Sequence, residues 1–153
     1  MGQDEDAKTL AVIASAPELR NSEATDAFFD AMPVTELASM WCALQRLSRR
    51  DQIGGAWTAK LYFDHMPHQK PSRALDLVID VLASEIDKPT VMQLNDKLMP
   101  ALLYAHGPAM IDRIEREAAG NKRFHDLLGG VWYFRAPEEL KMRLDALIGD
   151  NRW

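Results

Sequence analysis

Helical periodicity recurs in segment after segment of this chain, and the strict alternation of a half-buried strand is nearly absent. The pattern is strongest in SRALDLVIDVLASEI (72–86), where Leu75, Val78, Ile79, Leu82 and Ile86 share one face. Ala74, Leu77 and Val81 form a second stripe beside it, leaving Arg73, Asp76 and Asp80 as the polar line. A helix apolar over more than half its girdle is packed on several sides, so this segment is expected at the centre of the fold. Pro71 and Ser72 supply its start signal.

Narrower stripes mark the other helices. PAMIDRIEREAAG (108–120) lines up Met110, Ile111, Ile114 and Ala118, with Asp112 and Arg116 as an i,i+4 ion pair on the wet side. APEELKMRLDALIG (136–149) turns Leu140, Leu144, Leu147 and Ile148 inward, with Pro137 at its start and Gly149 at its close. PVTELASMWCALQRL (33–47) presents Leu37, Met40, Trp41 and Leu44. In IGGAWTAKLYFDHM (53–66) the expected inward stripe is Ile53, Trp57 and Leu61, beginning at Gly54 and Gly55. HMPHQKPS, DKPT, HGP, AGNK and RAP read as short loops, and Pro100 should kink or split its segment near Leu98. The expected fold is all-α: a single domain of about seven or eight short helices in stacked antiparallel hairpins, on a HEAT-like pattern.

Charge divides the chain unevenly. Residues 1–30 hold seven acids against Lys8 and Arg20, which accounts for the whole net charge of −5, while residues 31–153 are neutral. This reads as an acidic N-terminal arm with a short helix (1–30) followed by a helical domain (31–153). A neutral body has no broad basic field of the kind that gathers phosphates, which argues against nucleic acid as partner. The lone Cys42 rules out an intramolecular disulfide. An acidic N-terminus is unlike a secretory signal, and no apolar run approaches the ~20 residues that span a bilayer. A cytoplasmic protein without a membrane partner is expected.

Two further stretches carry a resemblance. PSRALDLVIDVL and LLYAHGPAMIDRIEREAAGNKRFHDLLGGVW are similar to a family of uncharacterised bacterial proteins, over about Trp57 to Trp132. The second block, ending in Arg-Phe, Leu and Gly-Gly-Val-Trp, is the more specific. The resemblance implies an all-helical fold and supplies no catalytic residue. Relatives tend to carry Gly-Pro, an apolar residue and an acidic pair where this chain has Lys97, Leu98, Met99, Pro100 and Ala101.

Few residues look like chemistry. Gly129 and Gly130 in RFHDLLGGVWYF lack the spacing of a phosphate loop. They are expected to end a helix, at least one with positive φ, and to let Val131, Trp132 and Phe134 fold back onto the core. His65 and His68 flank Pro67 in what reads as a solvated loop, a poor frame for a metal ion, so no metal or cofactor is expected. His106 should bond a carbonyl at the end of the helix preceding it; with Asp112 it is the basis of the alternative reading, a hydrolase or transferase. Asp112, Glu115 and Glu117 should pair with Arg113 and Arg116 along their own helix. Arg46, Arg49 and Arg50 are the one basic cluster and the basis of a third reading, a nucleic-acid binder. The favoured expectation is a non-enzymatic module that binds a protein partner, such as an immunity or inhibitor protein that neutralises a toxin. Its anchors should be exposed aromatic and arginine side chains: Arg49, Arg50, Tyr133, Arg135 and Trp153.

Overall fold

Every element among the described residues of the computed structural model, 22–153, is helical. The fold class is all-α, as the periodicity requires. Most of the acidic arm, residues 1–21, lies outside the described residues. The chain gathers into two compact units, one reaching to Met66 and one running from Pro67 to Trp153.

The first unit holds α1 (Ser22–Asp30), α2 (Val34–Arg46) and most of α3 (Gly55–Gln69). Although charge groups α1 with the arm, its Phe29 is fully buried, with its ring 4.8 Å from that of Tyr62 and 6.5 Å from that of Phe63. The Tyr62 hydroxyl donates to the Asp30 carboxylate at 2.7 Å, so the ring is sunk while its polar tip stays paired. On α2 the expected face is buried: Leu37, Met40, Trp41 and Leu44. The chain turns into α3 at Gly54, whose φ of 59° suits a residue without a Cβ.

On α3 the buried face is not the expected one. Ile53 is 71% exposed and Trp57 48%, with Leu61 also exposed, whereas Ala56, Ala59, Tyr62, Phe63 and Met66 are buried. This segment has apolar residues on both sides, and the side chosen is the one with more area to remove from water. Trp57 instead lies under the Lys60 ammonium, 5.6 Å from the ring centroid.

The second unit contains α4 (Pro71–Ala83), α5 (Lys88–Gln93), a π-turn (Leu94–Leu98), α6 (Met99–Gly120), α7 (Lys122–Leu128) and α8 (Glu138–Ile148). As expected, α4 is buried on two stripes, through Ala74, Leu75, Leu77, Val78, Val81 and Leu82. It packs on α6 and α7, while α6 also meets α8. Asp87 caps α5 by accepting from the Thr90 amide at 2.9 Å and its hydroxyl at 2.5 Å. The break anticipated near Leu98 is present as the π-turn, with Pro100 in the first turn of α6. HGP is a kink rather than a loop: α6 continues through it, with His106 alone non-helical (φ −139°, ψ 16°). Pro108 causes the bend, because it has no N–H for the Tyr104 carbonyl and its ring crowds that oxygen. Just past the kink, Gly107 has no side chain where the Leu140 side chain of α8 packs in.

Ion pairs tie helices together rather than running along α6. Arg113 pairs with Asp76 and donates to the Ser72 carbonyl at 3.1 Å, joining α6 to α4. Arg143 of α8 reaches both Asp112, at 2.6 Å, and Glu115, and its two carboxylate partners raise the guanidinium pKa. An interhelical partner wins here because the arginine's long apolar stem is also covered where two helices pack.

Burial of Phe29 and exposure of Trp57 give opposite expectations for similar truncations. Phe29→Ala should cost about 3–5 kcal/mol in urea unfolding, and Trp57→Ala should stay within about 0.5 kcal/mol.

Candidate functional site

In the second unit the chain leaves α7 through Gly129 and Gly130, and α8 through Gly149. Positive φ falls at Gly149 (56°), not at Gly129 or Gly130; Gly129 is right-handed, at φ −59° and ψ −23°. The glycine pair is required for another reason: the C-terminal residues lie on top of it. A Cβ on Gly129 would overlap the Asn151 carbonyl oxygen. A Cβ on Gly130 would stand 2.5 Å from Asn95 Nδ2 and 2.7 Å from the Trp153 ring. The pair ends a helix, as the sequence suggested, but as the floor of a close approach and not as a left-handed turn.

Several bonds hold the C-terminal residues down. The Trp153 amide donates to the Gly129 carbonyl at 3.0 Å, and the indole N–H to the Asp126 carbonyl at 3.0 Å. Asn151 Nδ2 donates to Asp126 Oδ1 at 2.9 Å and to His125 Nδ1 at 3.0 Å. The His125 ring, donating from Nε2 to the Leu147 carbonyl at 2.8 Å, is thereby fixed in one tautomer. Hydrogen bonds from Lys122 and then Asn151 hold the Asp126 carboxyl below the ordinary carboxylate value.

The residues after the glycines alternate. Val131 and Tyr133 are buried, while Trp132 and Phe134 are 61% and 59% exposed. The expectation that Trp132 and Phe134 fold back is therefore corrected, and so is that of an exposed Tyr133. An aromatic hydroxyl is buried where it finds partners: Tyr133 donates to Asp145 Oδ1 at 2.5 Å and accepts from Arg152 at 2.6 Å. Burial first, and the bond to Asp145 next, push this hydroxyl up from 10.0 to about 12, against the pull of Arg152. The Arg152 guanidinium also lies over the rings of Tyr133 and Phe134, at 4.8 and 5.6 Å. Trp132 and Phe134 meet edge to face, with centroids 5.1 Å apart, and the Tyr104 hydroxyl donates to the Trp132 carbonyl at 3.3 Å.

Of the anticipated anchors, Arg135 and Trp153 are exposed in the second unit, and Arg49 and Arg50 are exposed in the turn after α2 in the first. Arg46 closes α2. Residues missed by sequence reasoning are Trp132, Phe134, Arg152 and Asn95. Asn95 sits in the π-turn, fully buried, with neither amide atom hydrogen-bonded. Such unpaired groups cost about 1–3 kcal/mol each, and π-turns often occur at functional sites.

His106 and Asp112 are each bonded to another segment. His106 Nε2 donates at 2.5 Å to the His68 carbonyl near the end of α3, not to a carbonyl of its own preceding helix, because α6 continues through HGP and leaves no helix end there. Asp112 holds Arg143. His65 and His68 are exposed residues of α3 rather than of a loop, since that helix accommodates Pro67 two residues from its end. Among the described residues no three His, Cys, Asp or Glu side chains are grouped to hold a metal ion, and no helix is long and apolar enough to cross a membrane.

Gly130→Ala should destabilise the protein by about 1–3 kcal/mol through overpacking. Adding Trp153→Ala should recover part of that loss, since it removes one of the two obstacles. Gly129→Ala should gain less from the same change, because its main obstacle is the Asn151 backbone, with the Trp153 ring only at 3.1 Å. Alkaline pH gives a second check. The folded chain keeps the Tyr133 proton that the unfolded chain releases near pH 10, so stability is intact below pH 10 and falls as pH rises toward 12. In Tyr133→Phe, urea midpoints between pH 9 and 12 should fall less steeply than in the parent.

No curated protein and no solved structure matches the chain. The family model described as a family of unknown function (DUF6869) matches residues 45–151, beyond the quoted blocks on both sides. The match spans the whole second unit except Arg152 and Trp153. With that much of its length matched, the chain belongs to this family of unknown function.

Proposed function

We propose that this protein is a protein-binding module whose main anchors are Trp132 and Phe134. The observation that supports this is the exposed edge-to-face pair on either side of the buried Tyr133. Tyr133 between them is buried and fixed by Asp145 and Arg152, so the two rings are presented without much freedom to lose on binding. Tryptophan, tyrosine and arginine dominate the energetics of protein interfaces, and Arg135 adds an exposed guanidinium next to the pair in sequence. His106 and Asp112, on which a hydrolase or transferase would depend, are engaged with a backbone carbonyl and with Arg143. An immunity or inhibitor protein is one form of such a module and would use the same anchors. A cytoplasmic setting is part of this proposal.

The test compares recovery of partners from the native host by the parent and by Trp132→Ala and Phe134→Ala. Each variant should lose at least tenfold in affinity for a recovered partner, about 1.4 kcal/mol or more, with its melting temperature close to the parent's. Arg135→Ala should lose less. A partner bound equally by parent and both variants would remove the aromatic pair from the interface.

A further inference from the structure

The residues after Gly149 form a strap across Gly129 and Gly130, and beneath that strap lies Asn95. Its Nδ2 and the Trp153 indole both crowd the position that a Cβ on Gly130 would occupy, so the orphan amide faces the strap's seat. Asn95 is wholly buried, and neither its donor nor its acceptor has a partner. Fold stability gives no reason to keep a carboxamide there, because an apolar side chain of the same shape would not leave hydrogen bonds unmade.

The strap itself shows what this seat accepts. Trp153 is held by a backbone N–H on the Gly129 carbonyl and by its indole N–H on the Asp126 carbonyl, while Asn151 grips Asp126 and His125. Main-chain bonds for affinity and a seated side chain for specificity are the means by which extended peptides are recognised. Trp153 is held by these bonds while 61% exposed, and Gly149, with positive φ and nothing within 4 Å of a Cβ, offers a pivot. Lifting the strap would free the Gly129 and Asp126 carbonyls beside the unpaired Asn95 Nδ2. An incoming peptide would thus find more partners than the strap uses.

We propose that the groove floored by Gly129, Gly130 and Asn95 binds an extended peptide segment of a partner protein. That segment carries a tryptophan for the Asp126 carbonyl and a polar group for Asn95, and the chain's own Asn151–Trp153 closes the groove in its absence. This site is separate from Trp132 and Phe134 and does not rest on their binding anything. Tethering gives the strap an effective concentration in the millimolar range, so a free copy of it competes only at similar concentrations.

Two probes test the proposal on the full chain. The first is a synthetic peptide of residues 149–153, Gly-Asp-Asn-Arg-Trp, added to ¹⁵N-labelled parent. The Trp153 amide and indole signals should move toward free-peptide positions at millimolar peptide, while the Trp41, Trp57 and Trp132 indole signals stay in place. The second is a random heptapeptide library displayed on phage and selected on Trp153→Ala. Enriched sequences should carry tryptophan and be displaced by the strap peptide. They should also bind Asn95→Leu in the Trp153→Ala background at least tenfold more weakly. Asn95→Leu in the parent should melt at or above the parent's temperature, whereas a purely structural asparagine would make that variant less stable. Unmoved Trp153 signals would overturn the proposal, as would selected peptides that bind equally with leucine at position 95. Should the double variant fail to fold, the Trp153 signals of the unmodified parent still decide.

Discussion

A missing carbon atom at each of two positions decides how the second unit closes. The backbone at Asn151 and the ring of Trp153 occupy space that a Cβ on Gly129 or Gly130 would need. With that space available, the C-terminal residues bond to Gly129, Asp126 and His125. Arg152 is then carried to the Tyr133 hydroxyl, and Tyr133 is sealed between Arg152 and Asp145. The exposure of Trp132 and Phe134 follows from this, because the chain alternates and Tyr133 has taken the inward position.

The same unit shows how polar groups are distributed between stability and recognition. Arg113, Arg143, His106 and His125 each satisfy partners on another segment, joining α6 to α4, α8 to α6, α6 to the end of α3 and α7 to α8. Asn95 differs from these: neither atom of its buried amide is paired, and its Nδ2 lies with the Trp153 ring about the position a Cβ on Gly130 would take. Gln93 Oε1, just before the π-turn, is buried without a partner as well, so the open polar groups gather at this one break in the helix.

Much of the packing was legible from residue order. The two stripes of α4, the inward leucines of α8, the Met110–Ile114 face of α6 and the break before Pro100 all follow from local sterics and apolar spacing. The candidate site was less legible. Tyr133, Trp132 and Phe134 are adjacent aromatics with no periodic signal to rank them, and which one is buried depends on Asp145 and Arg152, far along the chain. Ion pairing behaved similarly: spacing along α6 offers pairs within the helix, yet Arg113 and Arg143 find carboxylates across helix contacts.

The sequence by itself determined that this chain is helical, where most helices begin and end, and which face is buried wherever a helix has a single apolar face. Those properties depend on interactions within a few residues. Tertiary structure decided the rest. It chose Tyr62 and Phe63 over Trp57 and Leu61 on a helix with two apolar sides, because Phe29 and Asp30 were there to receive them. It also made the helix end at Gly129 and Gly130 the floor beneath the C-terminal strap, since the need for glycine came from Asn151 and Trp153 more than twenty residues away.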